Sequence, residues 1–430
     1  MKVRLAYGMK GLEVNLPENV HTTVLEPRHV ASLADPWTVL RDALRRPIGT
    51  RPLRDLVRPR ARVGIVVSDM TRPAPNKLIL SALLGELDHV QPEQITLFVA
   101  TGTHRPTTSA ELSAMLGAQI AAGYRIVQND AADRSKHTYV GTSSLANDVW
   151  VLSEFMQCDV RILTGLIEPH LFAGFSGGGK SVMPGLAAAE TILRNHQPRL
   201  IEHPCAHYGI TAGNPIWEEI REAAAMTKPS FLVNVALNRE REITGVFAGA
   251  WQEAHDRGCS FVRDLALAPI PEPFDIVITS NAGYPLDLSL AQSVKGMSTA
   301  ALAVRTGGSI IVAAECSDGL PDHGDHARLL RAAKDARTML AMLGRPGYLH
   351  MDMWGAQIQA SICLRADVYF HSHNLSDDQI RGAWLKPCRS IEATMQTLLH
   401  QYGQDARVCV LPAGPWTIPH VEARQSQSVF

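Results

Sequence analysis

An α/β architecture of two domains, each a mostly parallel sheet with flanking helices, is the fold that this sequence predicts. Three observations carry it. Short apolar runs of strand length alternate with helical stretches along most of the chain, the pattern of parallel α/β layers. At 430 residues the chain exceeds one ordinary core. One proline-dense break, Ala266-Leu-Ala-Pro-Ile-Pro-Glu-Pro273, interrupts helix and ladder alike and sets the expected domains at 1–268 and 269–430.

The elements follow in chain order. Runs 3–6, 14–16 and 24–25 are short strands expected to decorate the first domain. Strand 63–67 precedes a helix over 76–87, strand 95–100 a helix over 109–122, and strand 160–167 a helix over 187–193. Strand 231–237 then precedes a helix over 252–265. Past the break, strand 276–279 precedes a helix over 288–304, and strand 309–314 a helix over 326–343. In such sheets ligands gather at the carboxyl ends of strands. The polar tail from Arg424 is expected to fray.

Composition narrows the class. Hydrophobic residues make up 46% and charged residues 19%, as in a well-buried enzyme. A formal net charge of −1 gives no electrostatic footprint for nucleic acid or an anionic membrane. The N-terminus lacks the apolar core of a signal peptide, and no apolar run approaches a membrane span. The seven cysteines are odd in number, scattered and without a Cys-x-x-Cys pair, which points to free thiols and a cytoplasmic location.

Chemistry concentrates in Ile167-Glu-Pro-His170-Leu-Phe-Ala-Gly-Phe-Ser176-Gly177-Gly178-Gly-Lys180-Ser, followed by Asn195-His196. Glycines let a backbone approach a ligand, an amine can be nucleophile or clamp, and imidazoles serve as acids, bases or metal ligands. Gly174 to Ser181 also satisfies the phosphate-loop pattern G-x-x-x-x-G-K-[ST], so a nucleotide-binding protein is one alternative. The context opposes it. Pro169 and His170 stand between the strand and the loop, Pro184 interrupts the following helix, and no apolar run ending in Asp supplies a magnesium partner.

Two further motifs close strands: Ser68-Asp69-Met-Thr-Arg72-Pro and Thr101-Gly-Thr103-His104-Arg-Pro. A third, Gln292-Ser-Val-Lys295-Gly, opens a helix. With His170, Lys180 and His196, these motifs resemble the lactate racemase family, which uses a nickel-pincer nucleotide. The resemblance implies a racemase or epimerase of a 2-hydroxy acid with its active site in the cleft between the domains. It implies His104 and His170 as paired acid/bases, Lys180 as the covalent tether of the cofactor and His196 as the one protein ligand to nickel. Hydride would pass from the substrate Cα to the cofactor pyridinium. Cofactor contacts would come from Asp69, Thr103, Ser176, Gly177, Gly178 and Trp354. Arg72, Gln292 and Lys295 would hold the substrate carboxylate. Biosynthetic enzymes for the cofactor are implied as transient partners. Gly179 departs from the family pattern, in which arginine is common there.

Each residue also has a plainer reading. His104 and His170 could bond nearby backbone, Lys180 could be a solvated loop lysine, and His196 could meet a helix dipole. Arg72 and Lys295 could be exposed charges, Trp354 an ordinary core residue. Asp69 is expected to orient Arg72 or to contact cofactor. Ala291 is small where a pocket wall is expected, so a substrate bulkier than lactate would fit. A family member that keeps the cofactor but has lost catalysis is another alternative; the intact histidine and lysine set opposes it. His323 with His326, His371 with His373, and Cys205 beside His203 and His207 read as solvated loop residues rather than metal sites, since no complete ligand set accompanies them.

Overall fold

Near-continuous apolar runs become strands buried on both faces. In the unit Val30–Arg263 six strands pair in the order Ile243–Gly249, Phe231–Leu237, Val160–Leu166, Val63–Ser68, Ile95–Ala100 and Arg125–Gln128. All neighbours are parallel except the edge strand Ile243–Gly249. In strand 63–68 only Ser68 escapes full burial, the pattern expected when helices cover both faces. Helix Asn76–Glu86 covers one face, sinking Ile79, Leu80 and Leu83 against Ile65, Val67 and Leu97. The structure, a computed structural model, describes residues 1–18, 20–320, 325–345, 347–403 and 405–422.

Strand order sets the site. From strand 63–68 the chain proceeds to one side through 95–100 and 125–128, and to the other through 160–166 and 231–237. The connections leaving 63–68 and 160–166 therefore diverge, and the carboxyl ends of these neighbours form the switch-point crevice where open α/β sheets bind ligands.

The second unit joins Met1–His29 to the chain from Asp264 onward. Its sheet runs Lys386–Pro387, Asp367–His371, Val304–Ala313, Phe274–Ser280, Val408–Leu411 and Thr22–Val24, all parallel. Two apolar layers flank it, one with Leu290, Met297 and Ile362, the other with Val3, Leu5, Ile391 and Leu398.

Several expectations need correction. The division at 268/269 placed residues 1–29 with the wrong body: Thr22–Val24 adds a strand beside Val408–Leu411, and Lys2–Leu5 pairs with Leu12–Asn15 over the same sheet. The proline-dense break is not a bare linker, since Leu267–Ile270 pairs in parallel with Ile418–Val421. Proline is tolerated in such a two-stranded edge pairing because only one flank of each strand needs donors. The helix expected over 109–122 divides at Gly117, and the one over 326–343 divides before Asp335, which caps Ala336–Leu343 through Thr338. His323 and the tail from Arg424 lie outside the described residues. His326 and His371 are buried rather than solvated, and His371 Nδ1 pairs with the Cys388 carbonyl at 2.9 Å. All seven cysteines are free, and among the described residues no helix is long and apolar enough to cross a membrane.

Candidate active site

Asp69 leaves strand 63–68 directly into the crevice and is 3% exposed. Its carboxylate accepts from the Thr71 hydroxyl at 2.7 Å and the Thr71 N–H at 3.2 Å. It also pairs with His104 Nδ1 at 2.6 Å. Burial pushes the Asp69 carboxyl up, but the charge and hydrogen bond of His104, with Thr71 and Arg72, outweigh it and hold the group below its usual range. With Nδ1 donating to Asp69, the other ring nitrogen of His104 is left as a proton acceptor. The histidine sits in a turn after strand 95–100, closed by its own N–H on the Thr101 carbonyl at 2.9 Å. Thr103 lies half-buried in that turn.

Of the two roles expected for Asp69, orienting Arg72 or contacting cofactor, the side-chain pairing bears on the first. The structure instead pairs Arg72 Nη1 with Glu168, a carboxylate that 9% side-chain exposure marks as nearly buried. Glu168 follows strand 160–166 across the crevice. Its N–H donates to the Ser176 hydroxyl at 2.9 Å, and the Ser176 N–H returns a bond to its carbonyl at 2.9 Å. The Ser176 hydroxyl donates to the Leu166 carbonyl at 2.7 Å. Thus Arg72 is tied to the glycine loop.

His170 belongs to a two-residue hairpin, Pro169–His170 against Gly174–Phe175. Its Nδ1 accepts from the Ala173 N–H at 3.2 Å, which places the ring hydrogen on Nε2, the tautomer opposite to that of His104. Phe172 packs edge-on against His170 at 4.6 Å and against His196 at 4.9 Å, and Lys180 Nζ stands 5.7 Å from the same ring centroid. One aromatic ring thus spaces three of the candidate residues. His196 closes helix Ala189–Asn195 and is 3% exposed. Burial, then the charge of Lys180, push its imidazole down to about 3, so it is neutral at any working pH.

Lys180 lies in a short 3₁₀ turn, Gly178–Ser181, preceded by Gly177 at φ +77° and Gly178 at φ +54°. These angles are the left-handed region that favours glycine. A Cβ on Gly177 would meet Asn234 Oδ1 at 2.6 Å, and one on Gly178 would meet His255 Nδ1 at 2.0 Å. The backbone is not that of a phosphate loop, because a hairpin precedes it and a 3₁₀ turn, not a helix, follows.

The remaining candidates belong to the second unit. Ser289 caps helix Leu290–Ala303, whose first turns carry Ala291, Gln292 and Lys295, all half-buried. Lys295 Nζ donates to Gln292 Oε1 at 2.6 Å. Asn281, fully buried, donates to the Gln292 carbonyl at 3.0 Å and accepts from the Gly296 N–H at 2.8 Å, pegging the helix to the end of strand 274–280. Trp354 is half-buried in the first turn of helix Met353–Arg365.

Four residues with evident positional roles went unread in the sequence: Glu168, Phe172, Asn234 and His255. Asn234 left a usable signal, a lone amide inside Phe-Leu-Val-Asn-Val-Ala-Leu, since a polar group in a doubly buried strand must be bonded. Glu168 stood inside the quoted motif. Phe172 stood there too, and His255 left no signal.

Residues 7–209 match the family model described as the lactate racemase N-terminal domain, and residues 271–418 match the lactate racemase C-terminal domain. The chain is 33% identical over 419 residues to a lactate racemase of Thermoanaerobacterium thermosaccharolyticum, covering 96% of this chain and 97% of that protein. The chain belongs to the lactate racemase family. A second relative, the lactate racemase of Lactiplantibacillus plantarum, is 36% identical over 374 residues, 86% of this chain and 88% of its own. The lactate racemase apoprotein structure from T. thermosaccharolyticum superposes with a TM-score of 0.90 at 31% identity, covering 98% of this chain and 100% of that one. A Thermotoga maritima protein shares the fold at a TM-score of 0.70 and 17% identity, over 90% and 98% of the two chains. Membership makes this protein a racemase-type isomerase.

Proposed function

We propose that this isomerase racemises a 2-hydroxy acid with a nickel-pincer nucleotide attached at Lys180, and that it works in the cytoplasm with transient help from the enzymes that make the cofactor. One observation carries the reading: a buried, neutral imidazole at His196 and the Lys180 amine, both set against the Phe172 ring. Among the described residues no three His, Cys, Asp or Glu come together as metal ligands. A pincer group would bring its own donors to a metal held at His196 and so would need no such cluster. A neutral imidazole is a suitable ligand for nickel, so His196 would hold the metal. Lys180 and the Ser176–Gly178 backbone would hold the organic part. When bound, the group supplies an acceptor for the α-hydrogen as hydride.

The chain's own residues do the rest. His104, its Nδ1 committed to Asp69, is the acceptor for the hydroxyl proton, and Asp69 stabilises the imidazolium so formed. His170, left as the Nε2–H tautomer by the Ala173 N–H on its Nδ1, is the second of the paired acid/bases. Arg72, held by Glu168 through one nitrogen, keeps its remaining N–H groups for the substrate carboxylate. The Gln292–Lys295 pair offers an amide and an ammonium of the same use. The backbone around Lys180 opposes the nucleotide-binding alternative.

Protein from cofactor-producing cells should carry a mass adduct and nickel, and should interconvert the enantiomers of a 2-hydroxy acid. Lys180→Ala should remove the adduct and the activity. An adduct persisting on that variant, or wild type without adduct yet fully active, overturns the assignment.

A further inference from the structure

Glycine runs are the most flexible backbone a chain can offer, yet a lysine that must meet a cofactor at a fixed place follows one here. Its order has to come from outside the loop. Beyond the bonds of Ser176 to Glu168 and Leu166, two side chains supply it, from two separate elements. Asn234, at 0% exposure in the middle of strand 231–237, accepts from the Gly178 N–H at 2.9 Å. The residue opposite it in the ladder is Gly165, where an added Cβ would lie in ordinary contact with the amide nitrogen at 3.4 Å. His255, at 1% exposure on helix Trp251–Ala266, pairs through Nε2 with the Ser176 carbonyl at 3.0 Å. Trp217 lies against its ring at 5.1 Å and 31°, and Cys259 Sγ sits 3.5 Å from the same nitrogen. Neither contact has slack, because a Cβ at Gly177 or Gly178 would fall inside these two side chains.

We infer that Asn234 and His255 are positioning residues that clamp the Ser176–Gly178 backbone in the one conformation that presents Lys180 for attachment. Each satisfies one peptide group, an N–H and a C=O, that would otherwise be buried or free to rotate. A buried polar group left without its partner is costly, so loop and clamp hold each other. Burial pushes the His255 ring down to about 4, which keeps it neutral, with the single hydrogen that the Ser176 carbonyl takes. An apolar residue at either position would fill the space and remove one tie on the Ser176–Gly178 backbone, leaving the Ser176 bonds to Glu168 and Leu166.

The clamp acts before any cofactor arrives, so hydrogen exchange of the apoprotein reads it directly. His255→Phe keeps a ring against Trp217 and removes the donor; His255→Gln restores a donor; Asn234→Ala removes the acceptor. Exchange across residues 175–183 should rise by roughly fivefold or more in His255→Phe and Asn234→Ala, the factor for one lost buried hydrogen bond. Strands 160–166 and 231–237 should keep their protection, and His255→Gln should bring the loop back to within about twofold of wild type. Should His255→Phe fail to fold, Asn234→Ala against His255→Gln carries the same comparison. Unchanged exchange in the loop, or loss spread evenly over the unit, overturns the inference. The second readout, adduct mass from cofactor-producing cells, rests on the proposed attachment at Lys180. Both clamp variants should retain less than half the wild-type adduct. An unmodified wild type would sink that attachment and leave the exchange result standing, whereas full adduct on both variants would sink the clamp.

Discussion

Acidification should destabilise the apoprotein through its buried histidines before most carboxylates titrate. Burial pushes His255 and His326 down to about 4, and burial with the Lys180 charge pushes His196 to about 3, against an ordinary value near ~6.5. Below that ordinary value the unfolded chain binds a proton on each ring and the folded chain does not. The stability is therefore present above pH ~6.5 and is lost as pH falls toward the folded values. Between pH ~7 and ~5 each ring accounts for about 2 kcal/mol. His196 and His255 share the unit 30–263, so that unit should lose about 4 kcal/mol, and the other, holding His326, about 2. Urea unfolding of the apoprotein at both pH values, at constant ionic strength, measures it. His255→Gln should roughly halve the loss in the first unit. A total below about 1 kcal/mol would mean that these rings are solvated or charged in the folded protein.

Three further outcomes follow from the site. Asp69→Asn should lower kcat by roughly two to four orders of magnitude with little change in KM, because the amide can no longer fix the His104 tautomer or support its charge; a raised KM with kcat unchanged would place Asp69 in substrate binding instead. His196→Ala should lose nickel, measured by elemental analysis, while keeping the organic adduct at Lys180, and equal nickel in variant and wild type refutes the ligand role. The half-buried Ala291 should admit 2-hydroxy acids larger than lactate, by about 10- to 200-fold per fitted methylene, with Ala291→Tyr reversing the ranking in chiral chromatography; an unchanged ranking removes Ala291 from the pocket.

Parallel strands covered on both faces read as apolar runs, so 63–68, 95–100 and 160–166 were legible as elements, and the motifs at their ends were legible as a site. Their neighbours in space were not. Thr22–Val24 joins Val408–Leu411 across almost the whole chain, and nothing local in three residues encodes that partner. The same holds for side-chain pairing. Asp69 and Arg72 lie three apart and invite pairing, but the strand ends bring His104 to one and Glu168 to the other. Helix breaks fall between the two cases: Gly117 and Asp335 are local signals, masked by apolar periodicity continuing on either side.

The glycine loop shows why a motif can match while its meaning differs. A phosphate loop and this loop both need positive φ and close approach, so both select Gly-rich sequence ending in Lys. In a phosphate loop the absent side chains are read as clearing space for the ligand. Here the missing Cβ positions of Gly177, Gly178 and Gly179 point at Asn234, His255 and Ala224, at 2.6, 2.0 and 3.1 Å. The glycines are therefore selected by what lies beneath the loop, at least as much as by what it binds. Substituting one of them tests packing first. The substitutions that isolate ligand chemistry are at Lys180, whose side chain leaves the packed face and approaches Phe172, and at His196 beyond it.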